Sequence, residues 1–112
     1  MSNTLDRDDF EKIEMRVGTI IEVNDFLEAR KPAYQLIIDF GSEIGVKKSS
    51  AQITKTYSKQ ELIGKQVIAV INFPRKQIGK FMSDCLVLGS VSGDEVVLLT
   101  SDKKVSNGLK IA

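Results

Sequence analysis

The 112-residue chain has no histidine and no tryptophan, and only one cysteine and two prolines. Without histidine there is no imidazole metal site, no Ser-His or Cys-His nucleophilic pair, and no side chain that ordinarily titrates near neutrality. The lone Cys85 excludes an internal disulfide and a thiolate zinc cluster, and it fits a reducing compartment. No apolar run approaches the roughly 18 residues that a spanning helix needs. The acidic start, MSNTLDRDDFEK, has no apolar stretch of the kind a secretory signal requires. These absences point to a cytoplasmic, non-enzymatic binding domain, with no cofactor, no metal and no insertion into membranes. The length suits a single domain over residues 1–112.

Charge of one sign is missing only in total. Sixteen Lys and Arg against fifteen Asp and Glu leave +1, which taken whole argues against a polyanionic partner. Along the chain the balance is uneven. Eight acids and three bases put residues 1–28 at −5, and ten bases against three acids put residues 29–80 at +7. Four acids and three bases leave the remainder at −1. A basic middle segment can focus a field on a polyanion. Lysines that protect strand edges and turns would give the same count.

The element pattern is strand-rich. Asp6 has the position of an N-cap, with Leu5 and Phe10 at hydrophobic-staple spacing, so a short N-terminal helix is expected. From Met15 the period becomes two: Met15, Val17, Thr19, Ile21 and Val23 share one face, and Gly18 suggests a bend. Tyr34, Leu36, Ile38 and Phe40 alternate in a second strand, and GVKKSSAQIT is a third, more polar one. Ser58-Lys59-Gln60-Glu61 is a capping box, and Gly64 stands where a left-handed helix terminator belongs. QVIAVINF reads as a buried strand ended by Pro74. CLVLGSV and EVVLLT read as two strands joined at SGDE, and Asn107-Gly108 as a turn in the closing KVSNGLKIA. Three strands, a short helix and further strands are the order of an all-β, five-stranded OB-fold, the small Greek-key barrel with a helix between strands 3 and 4. Ile20, Ile37, Val70 and the VVLL run exceed what so small a barrel can bury, so a two-fold dimer is expected.

Catalysis has little to work with, because the acids are scattered and Ser49, Ser50 and Ser83 have no base beside them. Two basic clusters remain. Lys47, Lys48, Ser49 and Ser50 in the third strand, with Asn72, Arg75, Lys76 and Gln77 in the NFPRKQIGK loop, combine cations and hydroxyl or amide groups suited to phosphate and sugar. An edge strand guarded by lysine and an ordinary solvated loop are the plain alternatives. Phe10, Tyr34 and Phe40 fall in phase with the core, whereas Phe26 and Phe81 fall in loops and are candidates for the surface. Ile78, Phe81 and Met82 would form a soft apolar patch, rimmed by Arg30, Lys31, Lys76 and Lys80, that suits a peptide or a subunit interface. Cys85 reads as a small buried residue.

The strings DFEKIEMRVGTI, EARKPAYQLIIDFG, GVKKSSAQIT, YSKQELIGKQV, NFPRKQIGKFMSDCLVLG and SNGLKIA resemble the tRNA-binding domain family over nearly the whole chain. That domain is appended to methionyl- and phenylalanyl-tRNA synthetases and also occurs as free-standing tRNA-binding proteins. The resemblance is stronger to a branch of export-related chaperones. It implies an OB-fold and no catalysis. It also implies a homodimer formed through the N-terminal helix (1–14) and a C-terminal β extension (92–112). For tRNA, the resemblance implies contact through Lys47, Lys48, Ser49, Ser50, Asn72, Arg75, Lys76 and Gln77. For the chaperone branch, it implies binding of unfolded or precursor polypeptides in a cleft on each protomer. Synthetase-appended relatives carry Ser-x-Gly-Met where this chain has Ser83-Asp84-Cys85-Leu86, and their Ser-Gly pair in the third strand is replaced within SSAQ. Both departures follow the chaperone branch and put an acid, Asp84, beside the basic face.

Overall fold

Tyr34, Leu36, Ile38 and Phe40 are buried, and Gln35, Ile37 and Asp39 between them only partly so, in a computed structural model that describes residues 3–112. In chain order the elements are α1 (Arg7–Glu11), β1 (Met15–Asp25), β2 (Tyr34–Asp39), β3 (Val46–Ala51), α2 (Lys59–Leu62), β4 (Gln66–Val70), β5 (Lys76–Ile78), β6 (Phe81–Ser83), β7 (Leu86–Val87), β8 (Gly89–Ser92) and β9 (Glu95–Leu98). The main sheet is antiparallel, in the order β3-β2-β1-β4-β7, while β5-β6 and β8-β9 form separate hairpins.

The main sheet curls until its first strand meets the chain beyond β6. The Asp84 N–H donates to the Lys48 carbonyl at 2.9 Å, and the Asp84 carboxylate accepts the Lys48 N–H at 2.6 Å. Ser83 Oγ accepts the Ser50 N–H at 3.2 Å. These bonds nearly close an all-β, five-stranded barrel with α2 between its third and fourth strands, the expected OB-fold.

Strand β1 departs from its expected phase. A bulge lies between Ile20, opposite Ile38, and Glu22, opposite Ile37, so that Ile21 is the extra residue. Val17 and Val23 are buried as alternation expects, but so are Gly18 and Ile20 from the opposite face, and Ile21 is 48% exposed. Gly18 serves close packing rather than a bend: a Cβ there would lie 2.6 Å from Ile38 Cγ2 and 2.7 Å from Phe40 Cε1. Of the apolar residues expected to exceed the barrel's capacity, Ile20 and Val70 are buried within the chain itself.

Helix α2 forms as its sequence predicts. Ser58 N–H donates to Glu61 Oε1 at 2.7 Å and Glu61 N–H to Ser58 Oγ at 3.3 Å, while Leu62 beneath is fully buried. At α1 Asp6 stands at the expected N-cap position, but its side chain makes no cap bond, Leu5 is exposed and Phe10 only half-buried rather than in the core.

The closing segment becomes a strap. Ile111 N–H donates to Met15 O (2.9 Å), Val17 N–H to Leu109 O (3.0 Å) and Gly108 N–H to Val17 O (2.7 Å). It therefore pairs with the part of β1 that β2 does not reach. Asn107 Oδ1 accepts from Thr19 Oγ1 at 2.8 Å, and Gln66 exchanges bonds with the backbone of Val105. Gly108 turns the strap with φ +91° where a Cβ would press on the Phe40 carbonyl oxygen at 2.6 Å.

Candidate ligand groove and basic face

Strand alternation decides which part of the basic segment can meet a ligand. Across β3, Ser49 stands opposite Leu36 and points inward at 1% exposure, so the expectation that it joins the nucleic-acid face is corrected. Lys48 and Ser50, on either side of it, are half-buried, as is Lys47. The Lys48 ammonium lies over the Phe81 ring, 5.4 Å from its centroid.

NFPRKQIGK is more ordered than a loop. Its second half enters a β-hairpin, β5-β6, turned at Gly79 (φ +60°) and Lys80 with Ile78 facing Phe81. Phe81 is 7% exposed, which corrects the surface role expected of it. Its ring packs on Phe26 with centroids 5.2 Å apart and planes at 57°. Phe26, likewise a surface candidate, joins Ala33 and Phe81 in a small second core, with Ala29 and Ile78 against it. The sequence missed this core because it is built from a loop and a hairpin, neither of which shows apolar periodicity.

Asn72 is also reassigned. Its Oδ1 accepts the Glu14 N–H at 3.0 Å and its Nδ2 donates to the Lys12 carbonyl at 2.7 Å. The amide thus ties the end of β4 to the N-terminal segment, with one N–H of the exposed side chain left over.

Between hairpin β5-β6 and the loop that holds Glu28–Ala33 lies an open groove of about 670 Å³. Six expected site residues, Arg30, Lys31, Ser50, Lys76, Gln77 and Ile78, line it. Half of them come from the proposed polypeptide set and half from the proposed nucleic-acid set, so the two faces meet here. Ala29, Ala33, Gln52 and Gly79 complete the wall and Glu28 is its one acid; the sequence reading missed all five as site residues. The EARKPA string marks Glu28, Ala29 and Ala33 only as chain leading into β2. Lys47, Arg75, Lys80 and Met82 lie outside this lining.

The groove runs on into a second one of about 340 Å³ along the seam between β3 and β7. Ser50, Gln52, Lys76 and Ile78 are shared, and Ala51, Ile53, Leu86, Val87, Val96 and Leu98 add apolar wall. Cys85 is there too, and burial pushes its thiol up to about 12, so it stays neutral and unreactive.

The cations of this region are unspent. Among the described residues the ion pairs are Lys12–Asp9, Arg16–Glu14, Lys55–Asp94 and Lys59–Asp25. Arg16 holds Glu14 below, and Lys55 holds Asp94 below, the usual carboxylate range, while Asp25 raises Lys59. None of Arg30, Lys31, Lys47, Lys48, Arg75, Lys76 and Lys80 takes part in those pairs. Among the described residues no cluster of three or more Cys, Asp or Glu is placed to hold a metal, and no helix is long and apolar enough to cross a membrane.

Solved structures share this architecture throughout. A CsaA chaperone protein from Picrophilus torridus is 58% identical with a TM-score of 0.92, covering 97% of this chain and 100% of that one. Chaperone CsaA from Bacillus anthracis is 47% identical at the same TM-score, over 97% of this chain and 99% of that one. A methionine–tRNA ligase from Pyrococcus abyssi is 38% identical over 104 residues, which cover 93% of this chain. The chain spans only 14% of that enzyme's length. The family model described as "putative tRNA binding domain" matches residues 15–110. With every strand described above inside that match, the chain belongs to the tRNA-binding domain family, alongside the CsaA chaperones.

Proposed function

We propose that the protein is a homodimeric, ATP-independent chaperone that holds unfolded or precursor polypeptides and assists their export from a cytoplasmic location. The observation that carries this reading is the 670 Å³ groove, where the small apolar wall of Ala29, Ala33 and Ile78 meets the cationic rim of Arg30, Lys31 and Lys76. An extended polypeptide has apolar side chains for such a wall and carbonyls and carboxylates for such a rim. Its similarity to proteins named as CsaA chaperones supports the same reading. Lys80 and Met82 extend the rim at the hairpin. Residues 1–112 act in this reading as one domain, paired with a second copy through residues 1–14 and 92–112, of which the first two lie outside the described residues. Exposed Leu5, Ile13, Val97, Leu99 and Leu109 supply the apolar surface. The test is light scattering of a chemically denatured client diluted into an equimolar amount of the protein. Slowed aggregation is expected, and an unchanged trace removes the basis for the reading.

A second reading has its own observation, the seven cations on adjoining elements that have no ion-pair partner among the described residues, together with the family's description. Lys47, Lys48, Ser50, Arg75, Lys76 and Gln77 then contact the backbone of a tRNA. Neutralising about three to five phosphates makes log K fall against log salt with a slope of roughly −3 to −4. Binding that ignores salt, or that survives Arg75→Ala/Lys76→Ala intact, speaks against it.

A further inference from the structure

We propose that hairpin β5-β6 is a hinged flap, and that the Phe26–Ala33–Phe81 cluster under it is a socket for an aromatic side chain of an extended polypeptide with acidic neighbours. The inference rests on the polypeptide-binding reading above and names what the groove takes. The hairpin has three residues in each strand, and those strands pair only with each other. A two-stranded hairpin of that length does not hold itself in water. Its attachment to the barrel is narrow. Among the described residues, Phe81 is its one buried side chain, and Ser83 Oγ and the Lys48 cation over the ring are its polar ties.

The cluster it covers is separate from the barrel core and undercut on both sides. The 670 Å³ groove lies on the hairpin side, and another of about 380 Å³, lined by Phe26, Leu27, Pro32 and Thr54, lies on the far side. Ala29, Arg30 and Ala33 border both. Swinging the hairpin outward breaks the Ser83 tie to Ser50, uncovers Phe26 and Ala33, and leaves in place the Asp84–Lys48 bonds that close the barrel. An incoming aromatic ring can then take the place Phe81 holds against Phe26. Acidic neighbours follow from charge complementarity, since Arg30, Lys31 and Lys76 line the groove exposed and outside the ion pairs described, against the single acid Glu28.

The flap can be locked. A Cβ at Gly79 lies 3.5 Å from Glu28 Cβ, within the range of about 3.5–4.5 Å that a disulfide spans. The atoms it would crowd at 2.7 and 3.2 Å are those of the Glu28 carboxyl, which Glu28→Cys removes. The probe is a fluorescent Gly-Ser-Asp-Phe-Glu-Ser-Gly peptide, with an Ala-for-Phe peptide beside it. Oxidised Glu28→Cys/Gly79→Cys should bind the Phe peptide at least about tenfold more weakly than the same protein reduced, and wild type should ignore the oxidant. Equal binding by the oxidised and reduced forms overturns the flap while leaving the groove reading in place. Equal binding of the Phe and Ala peptides overturns the socket. A wild-type protein that binds neither these peptides nor denatured client brings down the groove reading and the proposal together. Hydrogen exchange of the wild type decides the matter even where the double variant does not fold. Hairpin amides should exchange at least about a hundredfold faster than those of β1 and β4, and slow when the Phe peptide is bound. Hairpin amides as protected as the barrel's overturn the proposal.

Discussion

Replacing Gly18 by alanine tests the packing of the barrel most sharply, because two opposing effects meet there. Alanine in a strand ordinarily gains about 0.5–1 kcal/mol over glycine through reduced freedom of the unfolded chain. Here the new methyl would stand 2.6 Å from Ile38 Cγ2 and 2.7 and 2.8 Å from two carbons of the Phe40 ring. Carbon atoms pack at about 3.5–4.0 Å, so each neighbour must retreat by about 1 Å. Ile38 is 0% and Phe40 1% exposed, and both are hemmed in by the core. Overpacking of this kind costs about 1–3 kcal/mol, and two rigid neighbours put this site near the upper end. The net expectation is a loss of roughly 1–2 kcal/mol, a five- to thirty-fold fall in the folded-to-unfolded ratio. Urea unfolding should show a lower midpoint at unchanged slope. Adding Phe40→Leu should return part of the loss, with a coupling of about 1 kcal/mol in the double-mutant cycle. A Gly18→Ala protein as stable as wild type, or more so, would refute the reasoning.

Three further outcomes follow from single sites. Cys85, held neutral up to about 12 against an ordinary 9.0, should resist alkylation at pH 8 in the folded state. Its sign is that of an acid with a raised folded pKa. Its contribution is whole below pH 9 and shrinks as pH rises from 9 towards 12, by roughly 1.4 kcal/mol per unit, a slope that Cys85→Ala should remove from urea titrations. Asn72→Ala should cost about 0.5–1.5 kcal/mol of stability by removing its two exposed bonds to the Glu14 N–H and Lys12 carbonyl, yet shift RNA affinity far less than Arg75→Ala/Lys76→Ala; a larger RNA effect would place Asn72 on the ligand face. Ser58→Ala should lose about 1 kcal/mol with the capping box, read as a lower urea midpoint, and a neutral result would mean α2 is held by Leu62 alone.

What the residue pattern disclosed depended on whether periodicity or topology set the answer. Tyr34 to Phe40 announces its buried face because strand alternation is local, and Ser58 to Gly64 announces its helix because a capping box is complete within four residues. The exchange of faces between Ile20 and Ile21 was hidden, since a bulge is fixed by the partner strand and leaves no mark in alternation. The basic residues of the groove were legible as charge, and several do come together. Their company was not legible. Ala29, Ala33 and Gln52 carry no chemical signature, and Phe26 meets Phe81 only because a loop and a hairpin from distant parts of the chain fold onto each other. Ser49 shows the opposite failure, a polar residue read as ligand-facing that alternation turns inward. Asp84 looked like a repulsive neighbour for phosphate, whereas its carboxylate and N–H both bond the Lys48 backbone and help close the barrel.

The strap formed by residues 105–111 has a consequence for how the molecule comes into being. Arg16 and Gly108, which it joins by a side-chain bond, are 92 residues apart in sequence. Until the strap arrives, the first half of β1 is a bare strand edge, with N–H and C=O groups ready for any extended chain nearby. Contacts at that range form slowly, because the whole intervening chain must be brought round first. Cutting residues 107–112 should therefore leave a barrel that is soluble only at low concentration and exchanges strands between copies. A protein proposed to keep other chains apart is, for the first part of its own life, in need of the same service.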